Sequence, residues 1–168
     1  EISDRSYVEI ALATSGNLSV GVKAELTVEK VLLDNLLIEI VRQEAVATEV
    51  ALFKTINAAA LALTVETVQT TNKVIITNAY TAYGILSADA KTKLLVEKAL
   101  LDNLLVEIES LETIAIEVAI FKTDHAIALS LIVETVQETD NNIIEIVLAA
   151  YNNLSIDVKA GLTGEKAL

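Results

Sequence analysis

The chain of 168 residues contains no cysteine, proline, methionine or tryptophan. Without cysteine it can form no disulfide, no thiolate metal site and no thiol nucleophile. It is also poor in glycine, with five residues, and in aromatic residues, at 4%. Because tight turns in an all-β protein usually need Gly or Pro, this scarcity favours helices over hairpins. Uninterrupted apolar runs stay well below the roughly 20 residues that a membrane-spanning helix needs.

Positive charge is scarce as well, since 12 Lys and Arg residues oppose 24 Asp and Glu residues, a net charge of −12. This balance argues against nucleic-acid binding, which requires clustered cations, and against strong binding to anionic membranes. Apolar residues, by contrast, make up 53% of the chain, and the mean hydropathy is +0.53. Such a composition excludes a disordered acidic tail and predicts a real hydrophobic core.

An internal repeat of 68 residues organises the sequence. Residues 17–84 (repeat 1) and 85–152 (repeat 2) align without a gap and are identical at 37 of 68 positions. We therefore predict that residues 1–16 are the first helix at the end of a preceding unit and that residues 153–168 begin a truncated third unit. We expect the chain to be a mature or excised part of a longer array, or a designed chain that resembles one.

The choice between helix and strand is ambiguous, because 52 of 168 residues are Val, Ile or Thr. Residues 18–28 and 154–162 alternate between apolar and polar side chains, which predicts an all-β self-assembling sheet as the alternative fold. A different stretch has the 3-4 spacing of a helical core seam. Its members are Leu101, Leu104, Ile108, Leu111, Ala115 and Val118, and the equivalents in repeat 1 are Leu33, Leu36, Ile40, Ala47 and Val50.

Capping residues favour helices. Ser19, Ser87 and Ser155 recur at the repeat spacing and predict the N-cap of a second helix in each unit. Before Ser87, the first helix is expected to end with Gly84 at the C′ position. Further predicted N-caps are Asp4, Asn72 and Asp140 for the first helices, and Thr27 and Thr163 for the third. The preferred fold is therefore all-α, with tandem three-helix repeat units of 68 residues.

Two strings at the junctions between helices carry a family resemblance. Residues 79–91 read AYTAYGILSADAK, and residues 149–159 read AAYNNLSIDVK. They resemble the signature A-A-Y-x-x-L-S-x-x-x-K-x-L-(V/L)-T of helical tandem repeats in large bacterial cell-surface proteins, of the cell-wall, S-layer or adhesin-stalk type. The resemblance implies an α-helical spacer or stalk outside the cell, with no catalytic residue to carry over. We expect Tyr83 and Tyr151 to seal the junction between the first and second helices.

Candidate catalytic and metal-binding residues are few. His125 has Asn57 as its counterpart in repeat 1, so a repeated function cannot depend on it, and we expect a helix-start or surface histidine. Four glutamates suggest a di-metal carboxylate bundle, but the Glu-x-x-His element of such bundles is absent and a solvated helix face is expected. These glutamates are Glu107, Glu109, Glu112 and Glu117.

Two Asp-Asn clusters, Asp102-Asn103 and Asp140-Asn141-Asn142, have the oxygen atoms that Ca²⁺ prefers. They lack the loop spacing and the Gly of an EF-hand, so we expect caps and turns. The sequence also has no phosphate-binding loop, Walker motif, nucleophile elbow or zinc pattern. We therefore expect no enzyme, with no catalytic, cofactor-binding or metal site and no cofactor.

These features predict a non-enzymatic structural repeat module, either a spacer or stalk or a self-assembling array element of an extracellular surface protein. Its expected partner is itself, through neighbouring repeats, a homo-oligomer or a filament. Two alternatives stay open. The abundance of apolar residues suits a lipid- or apolar-ligand-binding helical bundle, and the alternating runs suit a self-assembling β fibre.

Overall fold

A computed structural model describes residues 2–131, 133 and 136–163, with the backbone alone at residues 2 and 3. In these residues the secondary structure consists of ten α-helices and two 3₁₀ turns. The α-helices are α1 (Ile2–Gly16), α2 (Val20–Glu25), α3 (Thr27–Ile56), α4 (Ala58–Leu61), α5 (Lys73–Gly84), α6 (Ala88–Lys93), α7 (Leu95–Asp124), α8 (Ala126–Leu129), α9 (Asn141–Asn153) and α10 (Ile156–Gly161). The 3₁₀ turns are Thr70–Asn72 and Glu138–Asp140. The fold is an all-α helical bundle, as the preferred interpretation of the sequence predicts.

The bounds of the helices recur at the 68-residue spacing of the sequence. Helices α2, α6 and α10 begin at positions 20, 88 and 156, and the two long helices α3 and α7 span 30 residues each. A short fourth helix, α4 or α8, follows each long helix. The predicted three-helix form of the unit is therefore not confirmed. The predicted boundaries after residues 16, 84 and 152 stay predictions.

The chain divides into two compact units. The first comprises Glu1–Ala62 with Asn78–Leu100, and in it α1, α2 and α6 pack against α3. The second comprises Leu63–Thr77 with Leu101–Leu168, and in it α8 packs against α9. A hydrophobic cluster in the second unit has a buried centre formed by Phe121, Val158 and Leu162.

Serine caps begin the short second helices, as predicted. The Ser87 hydroxyl accepts a hydrogen bond from the backbone N–H of Ala90 at 3.2 Å. The Ser155 hydroxyl does the same for the N–H of Val158 at 3.3 Å. Ser19 holds the N-cap position of α2 with the same extended backbone conformation. These bonds satisfy donors that a helix start would otherwise leave without a partner.

The predicted caps of the first helices are confirmed in part: Asp140 holds the N-cap position of α9, although its side chain makes no capping hydrogen bond to that helix. Asn72 stands directly before α5, but its side chain accepts from the backbone N–H of Gln69 at 2.9 Å, at the start of the 3₁₀ turn. Asp140 accepts from the N–H of Gln137 at 2.9 Å in the same way. A 3₁₀ turn precedes each of these α-helices, so the capping bond lies one turn earlier. Asp4 is not an N-cap, because it lies within the first turn of α1.

The prediction that Gly84 lies at the C′ position, just beyond the first helix, is wrong. Gly84 is the last residue of α5, and no glycine in the described residues has a positive φ. The Lys91 ammonium donates to the Gly84 carbonyl at 2.7 Å, and the N–H of Leu86 bonds the Tyr83 carbonyl at 3.2 Å. These bonds satisfy the carbonyls at the end of the helix, which a left-handed residue would otherwise help to do.

Thr27 and Thr163 are not N-caps either. Thr27 is the first residue of α3, and its hydroxyl donates to the Ala24 carbonyl at 2.6 Å instead of accepting from an N–H. Leu26 holds the N-cap position, since α2 leads into α3 through this one residue. Thr163 has a helical backbone.

The all-β alternative is wrong, because the described residues contain no strand. Residues 18–28 form α2 and the start of α3, and residues 154–162 include α10. The buried residues here are Val158 of α10 and Leu162, the C-cap of that helix, which are four positions apart and lie on the same side of it. Only every second member of the alternating run is therefore buried, since Ile156 is 84% exposed and Ala160 is also exposed. The β-fibre hypothesis loses the strands on which it depended.

Several threonines within the helices form side-chain hydrogen bonds to the backbone of the preceding turn. When a threonine hydroxyl donates to the carbonyl four residues earlier, the hydroxyl has a hydrogen-bond partner within the helix. Threonines with this bond, at 2.8 to 2.9 Å, are Thr48, Thr55, Thr77, Thr113 and Thr123. The strand preference of Thr is thereby overridden locally.

The predicted core seam is confirmed in the first half of α7 only. Leu101, Leu104 and Ile108 have no exposed surface, whereas Leu111 and Val118 are half-buried. In repeat 1 the same seam is more exposed, and Leu36 is an exposed residue. Burial therefore differs between residues that occupy equivalent sequence positions.

Candidate functional site

A groove of about 850 Å³ lies between α3 and α6 in the first compact unit. Ligand pockets have volumes of roughly 300–1,000 Å³. The apolar floor is one face of α3, formed by Val46, Ala47, Val50 and Ala51. The rim is polar or charged and consists of Arg42, Gln43, Lys54, Asp89, Thr92 and Lys93.

Arg42 connects the two walls of the groove. Its guanidinium donates to both carboxylate oxygens of Glu39, at 2.8 and 2.6 Å, and forms an ion pair with Asp89 of α6. The hydrogen bonds from Arg42, with a smaller contribution from Gln43, lower the pKa of Glu39 to about 2 from an ordinary 4.5. The two carboxylates raise the pKa of Arg42. Glu39 and Arg42 therefore both stay charged at neutral pH.

Lys54 closes the other end of the groove. Its ammonium lies 2.6 Å from the carboxylate of Glu97, a residue in the first turn of α7. The hydrogen bond from Lys54 lowers the pKa of Glu97. Lys93 of α6 has no hydrogen bond or ion pair within the described part of the chain. Two of the three groove cations are therefore already neutralised by carboxylates of the same compact unit.

Glu49 of α3 supports the start of α6. Its carboxylate accepts from the Ser87 backbone N–H at 2.7 Å and from the Ser87 hydroxyl at 2.5 Å. These two donors lower the pKa of Glu49. The charged groups around the groove thus stabilise the packing of α6 and of the start of α7 against α3.

The equivalent place in repeat 2 is closed. There Gly161 of α10 occupies the position of Lys93, and a Cβ built on Gly161 would lie 2.8 Å from Cγ2 of Val118 on α7. Ser110 and Leu111 replace Arg42 and Gln43 of the groove. The polar rim of the groove is therefore not repeated in repeat 2. These three differences between the repeats are the sequence signal that points to it.

The histidine and glutamate candidates lie apart from the groove. His125 holds the N-cap position of α8, as predicted for a helix-start residue, and its ring centroid lies 4.7 Å from that of Phe121. Glu112 forms a hydrogen-bonded ion pair with Lys73 at 2.7 Å. Glu109 and Glu117 are exposed on α7.

The Asp-Asn clusters have local structural roles or lie within helices. Asp140 caps the second 3₁₀ turn, and Asn141 donates to Glu145 one turn along α9 at 3.0 Å. Asp102 and Asn103 lie within α7. Across the described ranges, no group of three or more His, Cys, Asp or Glu side chains is arranged to hold a metal ion. None of the helices in those ranges combines the length and apolarity required to cross a bilayer.

Comparison with family models, with curated proteins and with solved structures finds no match to this chain.

Proposed function

We propose that the chain is a non-enzymatic structural repeat module, a spacer, stalk or self-assembling array element of an extracellular surface protein. The observation that carries this proposal is the recurrence of the same contacts between helices at the 68-residue spacing. In an array of this kind, stability comes from contacts within units and between neighbours, so length can grow without a change of packing. The resemblance of residues 79–91 and 149–159 to helical cell-surface repeats supports the extracellular location.

An aromatic contact recurs with nearly the same geometry. The ring centroids of Phe53 and Tyr83 lie 6.2 Å apart with an interplanar angle of 73°, and those of Phe121 and Tyr151 lie 6.2 Å apart at 70°. Both pairs are edge-to-face, which is a favourable arrangement of aromatic rings. Each pair joins a long helix to the following first helix, whereas the two tyrosines were expected to seal the junction between the first and second helices.

An ion pair recurs with a change of residue type. Arg5 of α1 contacts Glu44 of α3 at 2.7 Å, and at the equivalent positions Lys73 of α5 contacts Glu112 of α7 at 2.7 Å. A cation on the first helix thus meets a carboxylate on the long helix in both places. The exchange of Arg for Lys leaves the pairing of charges intact.

A lysine bond at the end of the first helix recurs as well. Lys91 donates to the Gly84 carbonyl at 2.7 Å, and Lys159 donates to the Asn152 carbonyl at 2.8 Å. Each lysine reaches back seven positions from the short second helix to the last turn of the first. The angle between these two helices is therefore held in the same way in successive repeats.

Small-angle X-ray scattering on chains of different length tests the proposal. We would compare the chain with a longer form in which residues 85–152 are duplicated, and with a control that carries a flexible Gly-Ser segment of equal length. The proposal predicts that each added repeat increases the maximum dimension by the same step and leaves the cross-sectional radius unchanged. An added repeat that increases the cross-section, or that behaves like the flexible control, would contradict it.

A lipid-binding role is the second candidate, because α3 exposes large apolar side chains, among them Val28, Leu32 and Ile38. Flotation with neutral phosphatidylcholine vesicles tests it, since the net charge of −12 disfavours anionic lipid. Protein that stays entirely at the bottom of the gradient would exclude this role.

A further inference from the structure

An apolar stripe in repeat 1 is more exposed than its equivalent in repeat 2. We define the stripe by five residues at the end of α2 and along α3, namely Val22, Leu26, Leu33, Leu36 and Ile40. Leu36 is 43% exposed and Val22 is 45% exposed, and the other three are half-buried. The equivalents in repeat 2 are all fully buried: Ala90, Leu94, Leu101, Leu104 and Ile108.

The packing of the first helix does not explain this difference. Helix α1 is tied to α3 by the ion pair of Arg5 with Glu44, and α5 is tied to α7 by that of Lys73 with Glu112, both at 2.7 Å. Both long helices therefore have a first helix on the same side. The additional cover over the stripe positions of repeat 2 comes from other parts of the same chain.

The difference does not extend to all apolar positions of α3, although it includes Leu32, which is 58% exposed whereas its equivalent Leu100 is half-buried. Ile38 lies on α3 two positions after Leu36, and both Ile38 and its repeat 2 equivalent Val106 are 67% exposed. Val28 and its equivalent Val96 are 78% and 79% exposed. A general loosening of repeat 1 would have raised the exposure at these positions too. Repeat 1 thus lacks cover at one specific set of apolar positions.

We propose that this stripe is the docking surface for a second copy of this chain, in a head-to-tail contact. The occupant follows from the repeat, because apolar positions that are buried in repeat 1 are more exposed in repeat 2. Val68 is 6% exposed and Ile76 is fully buried, whereas their equivalents Val136 and Ile144 are 40% exposed and half-buried. A second copy therefore offers, in its repeat 2, an apolar surface whose equivalent in repeat 1 is already covered. A continuous apolar stripe left exposed is typical of an interaction site. Because the stripe and its cover are different surfaces, the contact is heterologous and continues from molecule to molecule instead of closing as a pair.

This inference rests on the proposed structural role, but a separate experiment tests it. Sedimentation velocity over a wide concentration range would compare the wild type with Leu36→Lys and with the matched control Ile38→Lys. The proposal predicts that the mass of the wild type rises with concentration beyond that of a dimer. Leu36→Lys is expected to remain monomeric, and Ile38→Lys to associate like the wild type, although Ile38 is the more exposed residue.

A wild type that stays monomeric over the whole concentration range would overturn the proposal. Equal loss of association in Leu36→Lys and Ile38→Lys would also overturn it, because that result would indicate nonspecific apolar association. Far-UV circular dichroism would first show that both variants keep the helical content of the wild type. If Leu36→Lys does not, Val22→Lys replaces it as a test of the same stripe from the shorter helix α2. Vesicle flotation of the wild type that Leu36→Lys abolishes would assign the stripe to lipid, and would overturn self-association.

A mixing experiment tests the head-to-tail direction. A Leu36→Lys molecule lacks the stripe but keeps the surface that binds it, so a small amount added to the wild type is expected to stop growth and lower the mean mass. In a symmetric dimer the variant would be inert, and that result would overturn the head-to-tail contact. The scattering experiment on lengthened chains can be run with Leu36→Lys in every chain. A regular increase in the maximum dimension without self-association would then support the spacer role alone, so loss of docking and failure of the spacer role are distinguishable.

Discussion

Truncation of the same leucine in the two repeats separates the effect of burial from the effect of sequence. Leu36 and Leu104 occupy equivalent positions in the identical run LLDNLL, on helices of the same length. Leu104 has no exposed surface, whereas Leu36 is 43% exposed. We predict that Leu104→Ala lowers the free energy of unfolding much more than Leu36→Ala does.

The expected magnitudes follow from the transfer of methylene and methyl groups. Leu→Ala removes about three such groups, at about 0.8 kcal/mol each when they are fully buried. At Leu104 a cavity is added to this loss, which brings the expected cost to about 2–5 kcal/mol. At Leu36 roughly half of the side chain is already in water and no closed cavity forms, so the expected cost is about 1 kcal/mol.

Urea denaturation followed by far-UV circular dichroism measures both effects. The protein should be dilute, because self-association would add stability that depends on concentration. If the chain unfolds in two steps, Leu104→Ala should shift the transition of the compact unit that contains Leu101–Leu168, and Leu36→Ala should shift the other. Glu109→Ala is the control on the exposed face of α7, with an expected change below about 0.5 kcal/mol.

The reasoning would be refuted by equal losses at the two leucines, or by a larger loss at Leu36. Either result would mean that the burial of Leu104 contributes little to stability. A large effect of Glu109→Ala would also contradict the assignment of the core face, since this side chain lies in solvent.

Two further predictions concern local packing and pH. Gly84→Ala should raise the free energy of unfolding by about 0.5–1 kcal/mol, because a Cβ there meets no atom within 4 Å and alanine restricts the unfolded chain more than glycine does. Gly161→Ala should lower it by about 1 kcal/mol, because the added Cβ would lie 2.8 Å from Val118. Thermal unfolding of both variants measures these opposite effects. The lowered pKa of Glu39 means that its ion pair stabilises the fold above the ordinary pKa of 4.5 and is lost as the pH falls towards about 2. In an NMR titration the Glu39 carboxyl should titrate near pH 2 in the wild type and at a higher pH in Arg42→Gln, and an unchanged midpoint would contradict the assigned cause.

Helical faces and serine caps could be predicted from the sequence because both depend on local spacing. Leu101, Leu104 and Ile108 follow the 3-4 pattern, and they are fully buried. Ser87 and Ser155 hold the predicted N-caps with a hydrogen bond each. Both features depend on residues that are only a few positions apart in the chain, so the sequence pattern is sufficient to predict them.

Predictions that depended on distant partners were less successful. Gly84 was expected to follow the first helix at C′, but it is the last residue of α5, and a lysine seven positions later satisfies its carbonyl. The groove could not be predicted from Arg42 or Lys93 alone, because each is an ordinary surface residue until α6 is placed against α3. The exposure of Leu36 was also unpredictable, since its local sequence equals that of the buried Leu104.

The pattern of identity between the repeats supports a packing role for the exposed stripe. Leu33, Leu36 and Ile40 are the same residues as their fully buried equivalents, although they are partly or largely exposed in repeat 1. At the groove the two repeats differ, with Arg42 in place of Ser110 and Lys93 in place of Gly161. If exposure alone determined residue type, the stripe of repeat 1 would have become polar, as the rim of the groove is. The stripe stays apolar, and that is the composition expected of a surface that is covered when the protein assembles.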